Sequence, residues 1–318
     1  MIVTVTPNPA VDLTWHVERI VAGGTHRADA ARTRAGGKGL NVARVAAAEG
    51  AAVLAVATAG GATGDEFAAE LATAGLPHLL VPVAAATRRS VALVDESLGD
   101  TTIVNERGVA PRPEEWAALT DAVALAVRPD EESESGAPVL VISGSLPAGT
   151  PDGILPSLIA LGRDAGCIVI ADTSGPALLA AADAGATVLK PNRHELADAT
   201  GLDDPVAGAG VLLGRGAELV LVSLGPDGML AVTGDAERPE VLRARLPRTL
   251  AGNPTGAGDA AVAACAALMD AGVTEPESLL RRATAWSAAA VLMPLAGEIH
   301  PSWPEIEDSV TVQKEDTR

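Results

Sequence analysis

A chain of 318 residues, 48% hydrophobic and 20% charged, can bury a large core as one α/β domain, alone or with an appendage. Its formal net charge of -18 makes nucleic acid and anionic membranes poor partners, and no uninterrupted apolar run reaches membrane-spanning length. Met1-Ile2-Val3-Thr4-Val5-Thr6-Pro7 enters a strand without the basic and long apolar segments of a signal peptide; Cys167 and Cys265 lie in apolar stretches, as buried thiols of a reducing cytoplasm do.

From the N-terminus onward, β-branched runs predict strands over 2–5, 52–58, 139–143, 168–172, 187–189 and 219–223. Several are apolar almost throughout, as strands covered on both faces must be. Helices are expected over 40–49, 65–74, 113–127, 154–165, 176–182 and 195–200, then over 260–269 and 276–292, with a last short strand at 310–312. This alternation argues for an α/β fold: a doubly wound, mostly parallel sheet with helices on both faces. Residues 12–34 and 87–105 break the rhythm as short strands with polar interruptions. They are expected to form a small β lid over the C-terminal ends of the sheet strands, within a single domain spanning 1–318. The acidic run 130–135 is expected to be a solvated loop.

Lysine occurs only at Lys38, Lys190 and Lys314, whereas arginine is common. Two of the three stand in motifs marked by glycine or proline, where a compact ammonium suits phosphate; coincidence at exposed positions is the plainer explanation. Around Lys38 the chain reads Ala35-Gly36-Gly37-Lys38-Gly39-Leu40-Asn41-Val42-Ala43-Arg44. This is not a Walker A loop, because Gly39 follows the lysine and Arg32 stands at the first glycine's position. Bare backbone at Gly36, Gly37 and Gly39 lets a ligand approach, with Lys38 supplying charge and Asn41 a donor and an acceptor. Further on, Thr255-Gly256-Ala257-Gly258-Asp259 feeds an alanine-rich helix, whose first N–H groups and dipole favour an anion. Asp259 there either stabilises the helix or serves as a base.

Together with Lys190-Pro191-Asn192-Arg193-His194-Glu195 and Ser223-Leu224-Gly225-Pro226-Asp227-Gly228, in this order, these motifs resemble the PfkB, or ribokinase-like, family of carbohydrate kinases. Asn8-Pro9-Ala10-Val11-Asp12, Thr87-Arg88, Ser143-Gly144-Ser145-Leu146-Pro147 and Asp172-Thr173-Ser174-Gly175 narrow the resemblance to the branch with 1-phosphofructokinase, tagatose-6-phosphate kinase and the minor 6-phosphofructokinase. The likeness covers nearly the whole chain.

The resemblance implies a ribokinase-like fold, ATP and Mg²⁺ as cofactors, and transfer of a phosphoryl group to a sugar phosphate. Asp259 would be the general base, with the N–H groups of Gly256, Ala257 and Gly258 holding the transferring group. Asn192 and Glu195 would organise Mg²⁺ through water, although their spacing also fits a helix capping box. Lys190, Ser223, Gly225, Gly228 and Ser287 fall on the nucleotide side; structurally, Ser223 and the two glycines fit a strand end and a turn just as well. Asp12, Gly37, Asn41 and Ser143 fall on the sugar side, with Arg27, Lys38 and Arg88 meeting the phosphate the substrate already carries. Thr87-Arg88-Arg89-Ser90 departs from the branch's Thr-Arg-x-Asn, and Asn105-Glu106-Arg107-Gly108-Val109-Ala110-Pro111 from its Asn-Glu-Pro-Gly-Pro, so the reaction type is fixed more firmly than the substrate. Fructose 1-phosphate is favoured over tagatose 6-phosphate and fructose 6-phosphate. The alternatives are a ribokinase-like kinase of an unphosphorylated sugar or nucleoside and a non-catalytic sugar-phosphate or nucleotide sensor. A homodimer through the lid would hide its strand edges.

Overall fold

The valine-rich run after Met1 forms β1 (Ile2–Thr6), and the Pro7-Asn8-Pro9 corner redirects the chain into β2 (Ala10–Val17) and, after a long exposed connection, β3 (Arg32–Gly36). In this computed structural model, which describes residues 1–128 and 137–315, the chain continues through α1 (Lys38–Ala48), β4 (Val53–Ala59), α2 (Gly61–Ala74), β5 (His78–Pro82), β6 (Arg88–Asp95), β7 (Asp100–Asn105) and α3 (Pro113–Ala126). The strand-helix alternation then resumes as β8 (Val139–Ser143), α4 (Ile154–Asp164), β9 (Ile168–Asp172), α5 (Pro176–Asp183), β10 (Val188–Leu189), α6 (Arg193–Thr200), α7 (Pro205–Arg215) and β11 (Leu219–Ser223). Last come β12 (Met229–Gly234), β13 (Pro239–Arg245), α8 (Ala257–Asp270), α9 (Pro276–Val291), α10 (Trp303–Ser309) and β14 (Thr311–Glu315).

Ten strands form one sheet in the order β14-β13-β12-β11-β10-β9-β8-β1-β4-β5. From β11 to β5 every neighbour is parallel, whereas β12, β13 and β14 close the other edge antiparallel. Side chains alternate across this sheet, as the pleat requires. Val139 and Val141 of β8 pack with α1, α2, α8 and α9, while Leu140 and Ile142 pack with α3, α4, α5 and α7 on the opposite face. The expected doubly wound layer is thus present. The short strand expected at 310–312 is β14, whereas β5, β12, β13, α7 and α10 are additions that the sequence pattern did not predict. Helix α2 starts at Gly61 rather than 65, and α8 at Ala257 rather than 260, which puts Asp259 inside the first turn. The acidic run 130–135 lies outside the described residues.

The two stretches that interrupted the pattern build a separate four-stranded sheet, β3-β2-β6-β7. Strand β2 pairs antiparallel with β3 but parallel with β6, which pairs antiparallel with β7. Because β2 leaves the C-terminal end of β1 after only three residues, this sheet stands at the C-terminal edge of the large one. That edge is where open α/β sheets gather their ligands.

Candidate active site

Two acids organise the cleft between the sheets. Asp12 sits on β2, one of the two inner strands of the small sheet, with Arg34 of β3 opposite it on one side and Ser90 of β6 on the other. A Cβ at Gly36 would stand 1.9 Å from Asp12 Oδ2, so only glycine leaves room for that carboxylate. Asp12 lines a cavity of about 340 Å³ together with Arg34, Asn41, Arg44, Ser90 and Glu298. Burial pushes its carboxyl up to about 6, against the opposing pull of Arg88, Arg34 and Arg44. Arg88 stands nearby at the start of β6. Its Nε donates to Asn8 Oδ1 at 3.0 Å, its Nη2 to the Asn8 carbonyl at 3.1 Å and its Nη1 to the Glu106 carbonyl at 3.2 Å. All of these acceptors are neutral, so no hydrogen bond ties the guanidinium to a carboxylate, although the charges of Asp12 and Glu106 act on it.

The second acid, Asp259, is 5% exposed in the first turn of α8. Asn41, on the first turn of α1, donates from Nδ2 to Asp259 Oδ2 at 2.7 Å. Burial first, and then the neighbouring Asp172, push the Asp259 carboxyl up to about 7, while Lys38, Asn41 and Lys190 pull the other way. Asp172, at the end of β9, is fully buried and holds both lysines: Lys38 Nζ lies 3.3 Å from its Oδ2 and Lys190 Nζ 3.6 Å from its Oδ1. Ser143, at the end of β8, donates to the same carboxylate at 3.3 Å.

The head of α8 is shaped for an anion. Its N-cap, Gly256, adopts a left-handed φ of 85°, and a Cβ there would come within 2.7 Å of Ala296, so a larger residue is strained and crowded at once. No side chain caps the helix, which leaves first-turn N–H groups for a ligand. The Ala257 N–H donates to the Pro254 carbonyl at 3.2 Å and is already committed; Gly256 and Gly258 carry the cradle. The Lys190 ammonium stands beside it, 3.2 Å from where a Gly258 Cβ would be.

Beyond Asp172 and Lys190, Asn192 caps α6. Its Oδ1 accepts from the Glu195 N–H and Glu195 Oε2 accepts from the Asn192 N–H, each at 2.9 Å, so the capping box read from the spacing is real. Glu195 Oε1 remains directed inward, 3.8 Å from Lys38 Nζ. Ser223 ends β11 and bridges Asn192, Gly225 and Gly228 bound the following turn, and Ser287 lies half-buried on α9. Among the described residues no three His, Cys, Asp or Glu side chains cluster as a protein-only metal cage.

The basic trio expected at the sugar phosphate does not assemble. Arg88 is beside Asp12, but Lys38 is drawn from the α1 N-terminus to Asp172 and Glu195, and Arg27 lies on the exposed connection between β2 and β3, outside the cavity lining. Arg34 and Arg44 stand at the cavity instead, paired with Glu298 and Glu70. Sequence reasoning missed both arginines and gave Asp172 no task. The alternation of Arg32 and Arg34 along β3 was the available signal, since it places Arg34 on the face shared with Asp12.

The pfkB family carbohydrate kinase model matches residues 6–303. A 1-phosphofructokinase from Xanthomonas campestris pv. campestris is 39% identical over 90% of this chain and 89% of its own, and one from Rhodobacter capsulatus 36% identical over 96% and 93%. The crystal structure of phosphofructokinase-2 from Escherichia coli in complex with fructose-6-phosphate superposes with a TM-score of 0.84 at 32% identity, covering 96% of this chain and 98% of that one. The chain belongs to the pfkB family of carbohydrate kinases, enzymes that move a phosphoryl group from ATP to an alcohol.

Proposed function

We propose that the chain transfers the γ-phosphoryl group of ATP to the free primary hydroxyl of a ketohexose phosphate, with fructose 1-phosphate the preferred acceptor and fructose 1,6-bisphosphate the product. The observation that carries this reading is the Asp12-to-Asp259 arrangement: a sugar-sized cavity lined by Asp12 and Asn41, with the Arg88 guanidinium close to Asp12 but outside the lining, linked through Asn41 to a buried carboxylate at a helix head. Asp12 accepts hydrogen bonds from sugar hydroxyls, and Arg88 holds the phosphate already present. Asp259 takes the proton as the hydroxyl oxygen forms its bond to phosphorus and the bond to ADP breaks. The Gly256 and Gly258 N–H groups, with Lys38 and Lys190, take up the charge spread over the moving group. Because Lys38 lies between Asp172, Glu195 and Asp259, it serves the transferring phosphoryl rather than the sugar's own phosphate.

Mg²⁺ fits a donor set with a single inward carboxylate oxygen, since this ion keeps several waters and leans on phosphates. Glu195, positioned by Asn192, would hold it through water, and it would supply charge neutralisation between the phosphates. Ser223, Gly225, Gly228 and Ser287 are assigned to the nucleotide pocket. The small sheet acts as a lid on a single kinase domain, and the exposed edge strand β7, with Ile103 and Val104 open to solvent, supports a homodimer through that lid. Two free, buried cysteines suit a cytoplasmic enzyme; among the described residues no helix is long and apolar enough to cross a membrane.

The test is an ADP-release assay with Mg-ATP against fructose 1-phosphate, fructose 6-phosphate, tagatose 6-phosphate, fructose and ribose at matched concentrations. A preference for one ketohexose phosphate is expected. Activity on fructose or ribose with silence on the phosphates would overturn the assignment of Arg88.

A further inference from the structure

Arg34 reaches from the sugar side of the cleft to the phosphoryl side. Its backbone is held opposite Asp12 by the β2–β3 register. Its side chain, about one-fifth exposed, crosses the cavity edge, where Nη1 donates to the Ala296 carbonyl at 2.8 Å and lies 3.1 Å from Glu298 Oε1. Residues 294–298 form a strap against the machinery around Asp259. Ala296 is the residue that a Cβ at Gly256 would strike at 2.7 Å, and a Cβ at Gly297 would stand 3.1 Å from Asn41 Oδ1, on the amide that donates to Asp259. Asn253 Nδ2 donates to the Pro294 carbonyl at 3.2 Å and ties the strap's other end to the loop that enters α8.

We propose that Arg34 is a positioning residue for phosphoryl transfer: by gripping the strap, it holds the Asp12 strand of the small sheet in register with the Gly256–Asp259 cradle. This rests on the reading of the Asp12 cavity as the acceptor site. Its charge is matched by Glu298, so it contributes direction rather than a further cation for the substrate. A single terminal nitrogen, Nη1, makes both contacts, one to a carbonyl and one to a carboxylate of the strap. Errors on the order of 1 Å between nucleophile and acceptor can cost about 10²-fold in rate, so a latch remote from the reacting atoms acts on turnover. The same side chain also bears on Asp12. That carboxylate faces Arg34 from β3, Arg88 and Ser90 from β6 and Arg44 from α1, while Glu298 faces Arg34 and Glu70 faces Arg44. Removing Arg34 takes away one of the cations that favour ionised Asp12.

The experiment compares wild type, Arg34→Gln and Arg34→Lys on whichever acceptor the wild type turns over fastest, so failure of the substrate assignment shows in the wild type alone. Arg34→Gln is expected to lower kcat roughly 10- to 100-fold with KM for ATP unchanged. Acceptor binding without ATP should then weaken at a higher pH than in wild type, because Asp12 protonates more readily. Arg34→Lys, which keeps the charge and can still donate to one acceptor, should recover a large part of kcat. The proposal is overturned if Arg34→Gln raises only the acceptor KM at full kcat, which would make Arg34 a direct substrate contact. It is also overturned if kcat and the pH dependence stay at wild-type values, or if lost activity tracks a lowered Tm that Arg34→Lys does not restore.

Discussion

Asp259 is held at odds with its surroundings. Burial and the Asp172 charge push its carboxyl up to about 7, so near neutrality it exchanges a proton readily and suits a general base. If the proposed role as base holds, the ionised form is the active one, and kcat/KM should climb with pH through about 7 and level off above. Asp259→Asn is expected to lower kcat by a factor of roughly 10² or more while ATP binding, followed by titration, stays near wild type. The sign of the stability effect is opposite. Between the ordinary carboxylate value and about 7 the unfolded chain loses this proton while the native chain retains it, so the carboxyl costs stability increasingly as pH rises across that window. Asp259→Asn should therefore melt at a higher temperature than wild type at pH 8, and the gap should close toward pH 4. A melting point that does not rise would mean that Asp259 is not strained. Lys38→Met should lower kcat more than it raises the sugar KM, since the ammonium serves Asp172 and Asp259; steady-state kinetics with both substrates varied checks the split. Asp259 and Asn41 were legible as motif residues. Lys38 was legible as important but not as to side, because which carboxylate captures a long side chain depends on β9 and α6, far along the chain.

Among the elements, the apolar parallel strands and the amphipathic helices were legible because burial on both sheet faces writes itself into long β-branched runs. Of the antiparallel edge only its last strand, β14, was. Strand β13, paired between β12 and β14, carries Glu240, Arg243 and Arg245 on both of its faces, so it lacks the apolar run that marks the parallel strands. Helix α7 was hidden by Gly208, Gly210 and Gly214, which argue against a helix by propensity. Packing overrides that: a Cβ at Gly208 would press to 2.9 Å on Leu196 and one at Gly210 to 2.9 Å on the Ala236 carbonyl, so the glycines set how closely α7 lies on its neighbours. The start signal was nevertheless present in Asp204-Pro205. Asp204 Oδ1 accepts from the N–H groups of Val206 and Ala207 at 2.8 and 3.3 Å. Asp204→Ala should cost about 1 kcal/mol in urea unfolding and leave kcat untouched. A change in kcat would show that α7 bears on the cleft.

At the scale of the whole molecule, a net charge of -18 surrounds a cleft where Arg34, Arg44, Lys38 and Lys190 are each matched by a carboxylate, and Arg88 bonds only backbone and amide oxygens. Surface acidity beyond a Debye length of about 8 Å is largely screened, so an anionic substrate in the cleft responds to the nearby side chains rather than to the net charge. The parallel pairing of β2 with β6 sets an order of assembly. Each hairpin of the small sheet, β2 with β3 and β6 with β7, is a two-stranded ribbon, too small to persist alone in water. The strands that join them are separated in the chain by α1, β4, α2 and β5, so the ribbons meet only after that part of the large sheet has folded and closed the intervening loop entropically. During refolding, protection of the β1, β4 and β8 amides should precede recovery of acceptor binding. Simultaneous recovery in pulse-labelling and binding experiments would count against that sequence of events. The pocket for the sugar would then not exist until α1, β4, α2 and β5 have folded between its two ribbons, so a chain in which that segment is still unfolded could not hold its acceptor.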